Sequence, residues 1–330
     1  MTTIETAKLF KSFNNKKVLI IGDVMVDAYL FGKVDRISPE APVPVVSVSG
    51  RNSRMGGAAN VALNISALGA EPFLCSVIGN DTRGKEFINL LKKRGMSDLG
   101  IVKSKTRPTT TKFRVLGNNV QMLRVDEEVT HYISRNEERE LLKKITEIIE
   151  NKAINAIIFE DYDKGSITPT LISSVVKIAK KHNIIITVDP KKRNFNHYAD
   201  LTLLKPNFKE LKEGLGKEIE NGDIHSIRNS AMEVLRKNNL KTIIVTLSEH
   251  GVLICKKNLQ THIPAIIRNI ADVSGAGDTV ISVLTLAMSS NFSEVEAAKL
   301  ANIAGGIVCE EIGVVPIDKE KLLSEAIKLL

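Results

Sequence analysis

Tryptophan is absent from the 330 residues, and four tyrosines and ten phenylalanines supply all the aromatic rings. A surface that stacks successive bases needs such rings, so no nucleic-acid partner is expected despite a formal charge of +8. No apolar run approaches the length of a membrane span, and the opening MTTIETAKLFKSFNNKK lacks the uninterrupted apolar core of a signal peptide. The expectation is therefore no membrane association and a cytosolic location. Cysteine is scarce: Cys75, Cys255 and Cys309 are odd in number, widely separated and each set in an apolar stretch. Buried free thiols follow, with support for neither a disulfide framework nor a metal site. Repeats, low-complexity tracts and linkers are also missing, so residues 1–330 are expected to form one domain.

What is present is ordinary for a globular α/β protein: 43% hydrophobic and 25% charged residues. The lysines are dispersed, often as pairs such as Lys92-Lys93, Lys143-Lys144 and Lys180-Lys181, which is how solvated helix faces look. Strand-like apolar runs (18–21, 73–78, 156–159, 184–188, 201–204 and 243–247) alternate with helical patterns (60–68, 137–150 and 168–182). Such alternation predicts a largely parallel sheet covered by helices on both faces, with helix to the end after about Ala271. Two β-prone, turn-rich segments break the rhythm, at about 29–50 and 109–126. They predict a small inserted sheet, serving as a lid over a pocket or as an oligomer contact.

The most informative stretch is Asp272-Val273-Ser274-Gly275-Ala276-Gly277-Asp278-Thr279, followed at helical spacing by Ile281, Val283, Leu284 and Leu286. A helix opening near Gly277 presents free N–H groups and the positive end of its dipole, an arrangement suited to phosphate. Asp278 would repel that phosphate unless it has a proton to remove, as a general base does. The competing explanation is that Asp278 and Thr279 only cap the helix.

Other motifs divide into decoys and candidates. Gly79 to Glu86 nearly spells a P-loop, but Glu86 stands where Ser or Thr should ligate magnesium, so a strand-to-helix turn is expected. Gly275-x-Gly277 lacks the third glycine of a dinucleotide site. Gly56-Gly57-Ala58-Ala59-Asn60 opens a helix with small residues, suited to close approach of a ligand or to tight packing. Asn207-Phe208-Lys209-Glu210 follows a predicted strand, where ligands bind in open α/β sheets. An N-cap at Asn207 with Glu210 completing a capping box explains the same residues locally.

Gly56-Gly57-x-x-Asn60, Asn207-x-x-Glu210 and Asp272-x-x-Gly275-Ala276-Gly277-Asp278 occur in the order and at about the separations seen in ribokinase-like (PfkB-type) carbohydrate kinases. The chain resembles that family over essentially its whole length. Gly22 to Asp27, Arg36 to Val46, Gly56 to Ala62, Thr111 to Val115, Asp161 to Gly165 and Asp189 to Lys191 further resemble its kinases acting on D-glycero-D-manno-heptose 7-phosphate at C1. In bifunctional relatives a nucleotidyltransferase domain follows; this chain stops at Leu330.

The resemblance implies a three-layer α/β/α fold with a mostly parallel central sheet and a small β-sheet lid. It implies ATP and Mg²⁺, with a monovalent cation near the Asp272 loop as a further option. Asp278 would be the base, and the backbone of Gly275, Ala276 and Gly277 the anion hole. Asn207, Phe208, Lys209 and Glu210 would lie near ATP and the metal, Glu210 acting through metal-bound water. Thr246, Gly251 and Asn302 would flank the nucleotide. Asp27, Gly56, Gly57 and Asn60 would hold sugar hydroxyls, with the substrate phosphate falling to cations among Arg54, Lys112, Arg114, Lys164 and Lys191. A homodimer through the lid is expected. The alternatives are another sugar or sugar phosphate as substrate, or a non-catalytic sugar-phosphate sensor.

Overall fold

A computed structural model describes residues 3–220 and 222–330. Thirteen strands follow in chain order: β1 (Lys17–Gly22), β2 (Val24–Ile37), β3 (Pro44–Gly57), β4 (Glu71–Gly79), β5 (Gly100–Ser104), β6 (Thr111–Gly117), β7 (Val120–Glu127), β8 (Ala156–Glu160), β9 (Ile185–Asp189), β10 (Leu203–Leu204), β11 (Thr242–Thr246), β12 (Val252–Lys256) and β13 (Leu259–Ile263). The helices are α1 (Thr3–Phe13), α2 (Ala58–Ala67), α3 (Thr82–Lys93), α4 (Arg135–Lys152), α5 (Pro169–Lys181), α6 (Phe208–Leu215), α7 (Ile224–Lys237), α8 (Ala276–Ser289), α9 (Glu294–Cys309) and α10 (Lys319–Leu329).

Nine strands make the central sheet, in the order β13-β12-β11-β10-β9-β8-β1-β4-β5. Pairing is parallel from β5 to β11, and only the β11–β12 and β12–β13 pairings at one edge are antiparallel. The physical cause is visible in β1, whose residues are buried on both faces. Val18 and Ile20 join the core under α2, α8 and α9, while Leu19 and Ile21 join the core under α4, α5 and α7. A strand with period-two side chains and no polar face must be covered twice, which makes the three layers.

The two β-prone segments pair with one another as a separate sheet, β3-β2-β6-β7. Its first segment is longer at both ends than expected, because β2 leaves β1 with only Asp23 between them and β3 runs to Gly57. The pairings β2–β3 and β6–β7 are antiparallel, whereas β2–β6 is parallel. All eight residues of β7 are exposed.

The P-loop lookalike is the expected strand-to-helix turn between β4 and α3. Asp81 caps α3 through Gly84 N–H at 2.7 Å, and its carboxylate also accepts from the backbone and hydroxyl of Thr109, both at 2.8 Å. The chain's own carboxylate thus fills the nest where a phosphate would sit. The three cysteines are free and buried. Burial pushes the Cys75 thiol up to about 12 and that of Cys255 up to about 11, which leaves both inert. Among the described residues no helix is long and apolar enough to cross a membrane.

Candidate active site

The octet's two explanations separate cleanly in the structure. Gly275 is the N-cap of α8, at φ 80° in the left-handed region that glycine tolerates, and no side chain caps the helix. Asp278 lies in the first turn, 4% exposed, and its Oδ1 accepts from the Tyr162 hydroxyl at 2.8 Å. Thr279 donates to Asn64 Oδ1 at 3.2 Å. Neither residue caps the helix, so the carboxylate is held for something else. Ala276 N–H turns back to Val273 O at 3.3 Å, and Thr279 N–H makes the first helical bond to Gly275 O at 3.0 Å. Asp272 ties the loop down, its two oxygens accepting from Ser274 N–H at 2.9 Å and Gly313 N–H at 3.0 Å.

Beneath Gly277 is a cluster of buried charges at the C-terminal ends of β8, β9 and β10. A Cβ on Gly277 would lie 3.5 Å from Asp189 Oδ2 and 3.7 Å from Lys205 Nζ. Lys205, 2% exposed at its side chain, pairs with Asp189 at 2.7 Å. Glu160 stands beside them, and Lys191 pairs with Glu210. Burial, together with Asp189 and Asp278, pushes the Glu160 carboxyl well above the usual range. Burial opposes the charge on Lys191, but Asp189 and Glu210 outweigh it and raise its pKa. For Asp278, burial is the main cause of a pKa raised to about 6, which the hydrogen bond from Tyr162 and the neighbouring Asn60 and Lys205 hold down. Glu160 and Lys205 escaped the sequence reading and Asp189 entered it only within the Asp189 to Lys191 segment, although the strand-end rule could have found all three, each next to the end of a predicted strand.

Asn207 and Glu210 form the capping box of α6: Asn207 Oδ1 accepts from Glu210 N–H and Glu210 Oε2 from Asn207 N–H, both at 2.8 Å. Capping does not use up Glu210, since its other oxygen accepts from Lys191. Thr246 bridges to Asn207. Phe208 packs on the core instead, and Lys209 faces solvent 3.7 Å from Glu213. Gly251 makes the turn into β12, and Asn302 donates to Pro264 O at 2.9 Å, anchoring the segment that leads to Asp272.

On the other side of Asp278, α2 begins where β3 ends. Gly57 has φ 62°, and a Cβ there would be 2.3 Å from Asp23 O, so a side chain is excluded. Gly56 packs on the Asp27 carboxylate, and Asn60 reaches Asp278. Asp27 and Asn60 line a cavity of about 490 Å³ shared with Tyr29, Arg54 and Val314. The predicted cations are distributed differently. Arg114 is paired with Asp27, Lys112 with Asp126 (3.0 Å) and Glu128 (3.5 Å), and Lys164 with Glu128 (2.6 Å). Arg54 is exposed, lies over the Tyr29 ring at 5.4 Å and opens into the cavity.

The chain is similar to known proteins in both sequence and fold. The chain is 40% identical over 299 residues to the bifunctional protein HldE of Helicobacter pylori strain J99, covering 90% of this chain and 64% of that protein. It is 38% identical over 306 residues to the bifunctional protein HldE of Pelobacter propionicus, covering 92% of this chain and 62% of the relative. The chain thus spans less than two thirds of the length of these relatives. Among solved structures, phosphofructokinase-2 from Escherichia coli in complex with potassium superposes with a TM-score of 0.75 at 18% identity, covering 94% of this chain and 99% of that one. Arabidopsis thaliana ribokinase complexed with ribose and ATP gives 0.72 at 17% identity, over 96% and 99%. Those likenesses establish the fold, which is the ribokinase-like α/β fold. A family model described as pfkB family carbohydrate kinase matches residues 15–321, and with nearly the whole chain accounted for, this chain belongs to the pfkB family of carbohydrate kinases.

Proposed function

We propose that the chain transfers the γ-phosphate of ATP to the C1 hydroxyl of D-glycero-D-manno-heptose 7-phosphate, giving the 1,7-bisphosphate, as a step towards nucleotide-activated heptose for surface glycans. The observation that carries the chemistry is Asp278, buried at a helix start it does not cap, between an open glycine turn and the sugar-side residues Gly56, Gly57 and Asn60. Asp278 takes the anomeric proton as the oxygen attacks, and the backbone at Gly275 to Gly277 stabilises the charge on the transferred group. Lys205 lies beneath that turn paired with Asp189, and Lys191 is paired with Glu210. Phosphoryl transfer depends chiefly on such positioning and electrostatics.

The residues present also fit Mg²⁺. Glu160 Oε2 and Asp189 Oδ1 are buried without a hydrogen-bond partner, beside Glu210. Among the described residues no group of three or more His, Cys, Asp or Glu could hold a metal ion by itself. Few protein ligands completed by water and phosphate suit this ion, which when bound neutralises phosphate charge. Asp272 and its loop are the place for a monovalent cation.

The heptose assignment rests on the upstream segments: Gly22 to Asp27 joins β1 to the small sheet, Arg36 to Val46 is its β2–β3 turn, and Gly56 to Ala62 opens α2. In this reading residues 1–330 act as one kinase domain in the cytosol, with the small sheet as a lid that excludes water. Exposed Val48, Val120, Leu123 and Val125 on that sheet support its pairing in a homodimer. The test is ADP release with heptose 7-phosphate against fructose 6-phosphate, ribose and adenosine, followed by proton and phosphorus NMR of the product. Preference for one of the other acceptors, or phosphate on an atom other than C1, overturns the assignment.

A further inference from the structure

We propose that Tyr162 is a positioning residue for the catalytic base, fixed in place by a hub at Asp23 that also sets the start of α2. Asp23 is 1% exposed and sits at the junction of β1 and β2. Its Oδ2 accepts from Tyr162 N–H and Lys164 N–H, both at 3.0 Å, and its Oδ1 from Ser166 N–H at 2.9 Å. Three backbone donors on one carboxylate make the 162–166 turn rigid, because a buried carboxylate gains heavily from each charge-assisted bond and its loss would strand a charge. The backbone of the same residue continues the scaffold. Asp23 N–H donates to Glu160 O at 3.3 Å, and Asp23 O accepts from Ala58 N–H, the first residue of α2, at 2.9 Å.

One residue therefore ties together both walls of the site, the α2 start that carries Asn60 and the turn that carries Tyr162. From that turn the Tyr162 hydroxyl reaches Asp278 Oδ1 at 2.8 Å, with Lys191 Nζ 5.6 Å from the centre of its ring. A phenol donating to one carboxylate oxygen sets the rotation of the group, and with it the direction in which the carboxylate meets a proton. The tyrosine acts through Asp278.

The inference rests on Asp278 being the base of a carbohydrate kinase, and it survives a change in which sugar is phosphorylated. It is tested with Tyr162→Phe, which keeps the ring and removes only the donor, using whichever acceptor the wild-type chain turns over. The expected result is a fall in kcat of roughly 10-fold, the effect of one hydrogen bond to a charged group. KM for ATP and for the sugar should stay within about twofold, since ground-state binding is untouched. In an Asp278→Asn background the same change should have no further effect, because residues that act as a unit are not additive. A wild-type kcat, a change confined to KM, or an undiminished loss in the Asp278→Asn background each overturns the proposal. A wild-type chain that phosphorylates no carbohydrate would refute the kinase reading instead, so the two failures are distinguishable.

Discussion

At the scale of single residues, Asp278 concentrates the argument because burial and hydrogen bonding act on it in opposite directions. Burial raises its pKa to about 6, although Tyr162, Asn60 and Lys205 favour the ionised form. A base works only when ionised, so kcat/KM should fall as pH drops through about 6, with a slope approaching one proton. A profile flat down to pH 5 would contradict the role. Asp278→Asn removes the base and keeps the shape, and should lower kcat on the order of 10² to 10⁴-fold with the fold intact by circular dichroism.

At the scale of elements, the start of α6 joins an observed helix cap and the proposed ATP site in the same two residues. Asn207 holds Glu210 N–H, and Glu210 in turn holds Asn207 N–H while facing Lys191. Asn207→Ala should cost about 1 kcal/mol of stability through the lost cap. Asn207→Asp separates the two roles, since aspartate caps a helix as well as asparagine does but adds a negative charge beside the proposed phosphates. Thermal melting should therefore find it near wild type, while KM for ATP rises severalfold; a normal KM would confine Asn207 to capping. The β4–α3 turn makes the converse point. Its glycine and lysine spacing imitates a phosphate loop, yet Asp81 occupies the nest, as the carboxylate at Glu86 already suggested.

At the scale of the whole molecule, the small sheet is the feature the rest of the chain does not cover. Val120 at 61%, Leu123 at 56% and Val125 at 49% exposure lie on a strand exposed along its full length. An open apolar sheet face of this kind suits the homodimer proposed through it. Leu123→Lys with Val125→Lys should turn a dimer into a monomer in sedimentation velocity while leaving the melting of the body unchanged. Sedimentation of the unaltered chain as a monomer would remove the dimer from the proposal.

The alternation of apolar runs and helical patterns by itself determined the layered parallel sheet, since strands such as Val18 to Ile21 have no polar face to turn to water. The motifs around Gly56, Asn207 and Asp278 likewise carried the resemblance to the family, and singled out Asp278 as the candidate base. Only the tertiary structure decided how these groups meet. Glu160, Asp189 and Lys205 come from three strands that are neighbours only in the folded sheet, and their buried charges are tolerable only as partners. Arg114, Lys112 and Lys164 are bound to carboxylates by strand pairing and loop closure that no local spacing encodes. Tyr162 and Asp278 lie 116 positions apart in the chain, and their hydrogen bond exists because Asp23 pins one turn beneath the start of one helix.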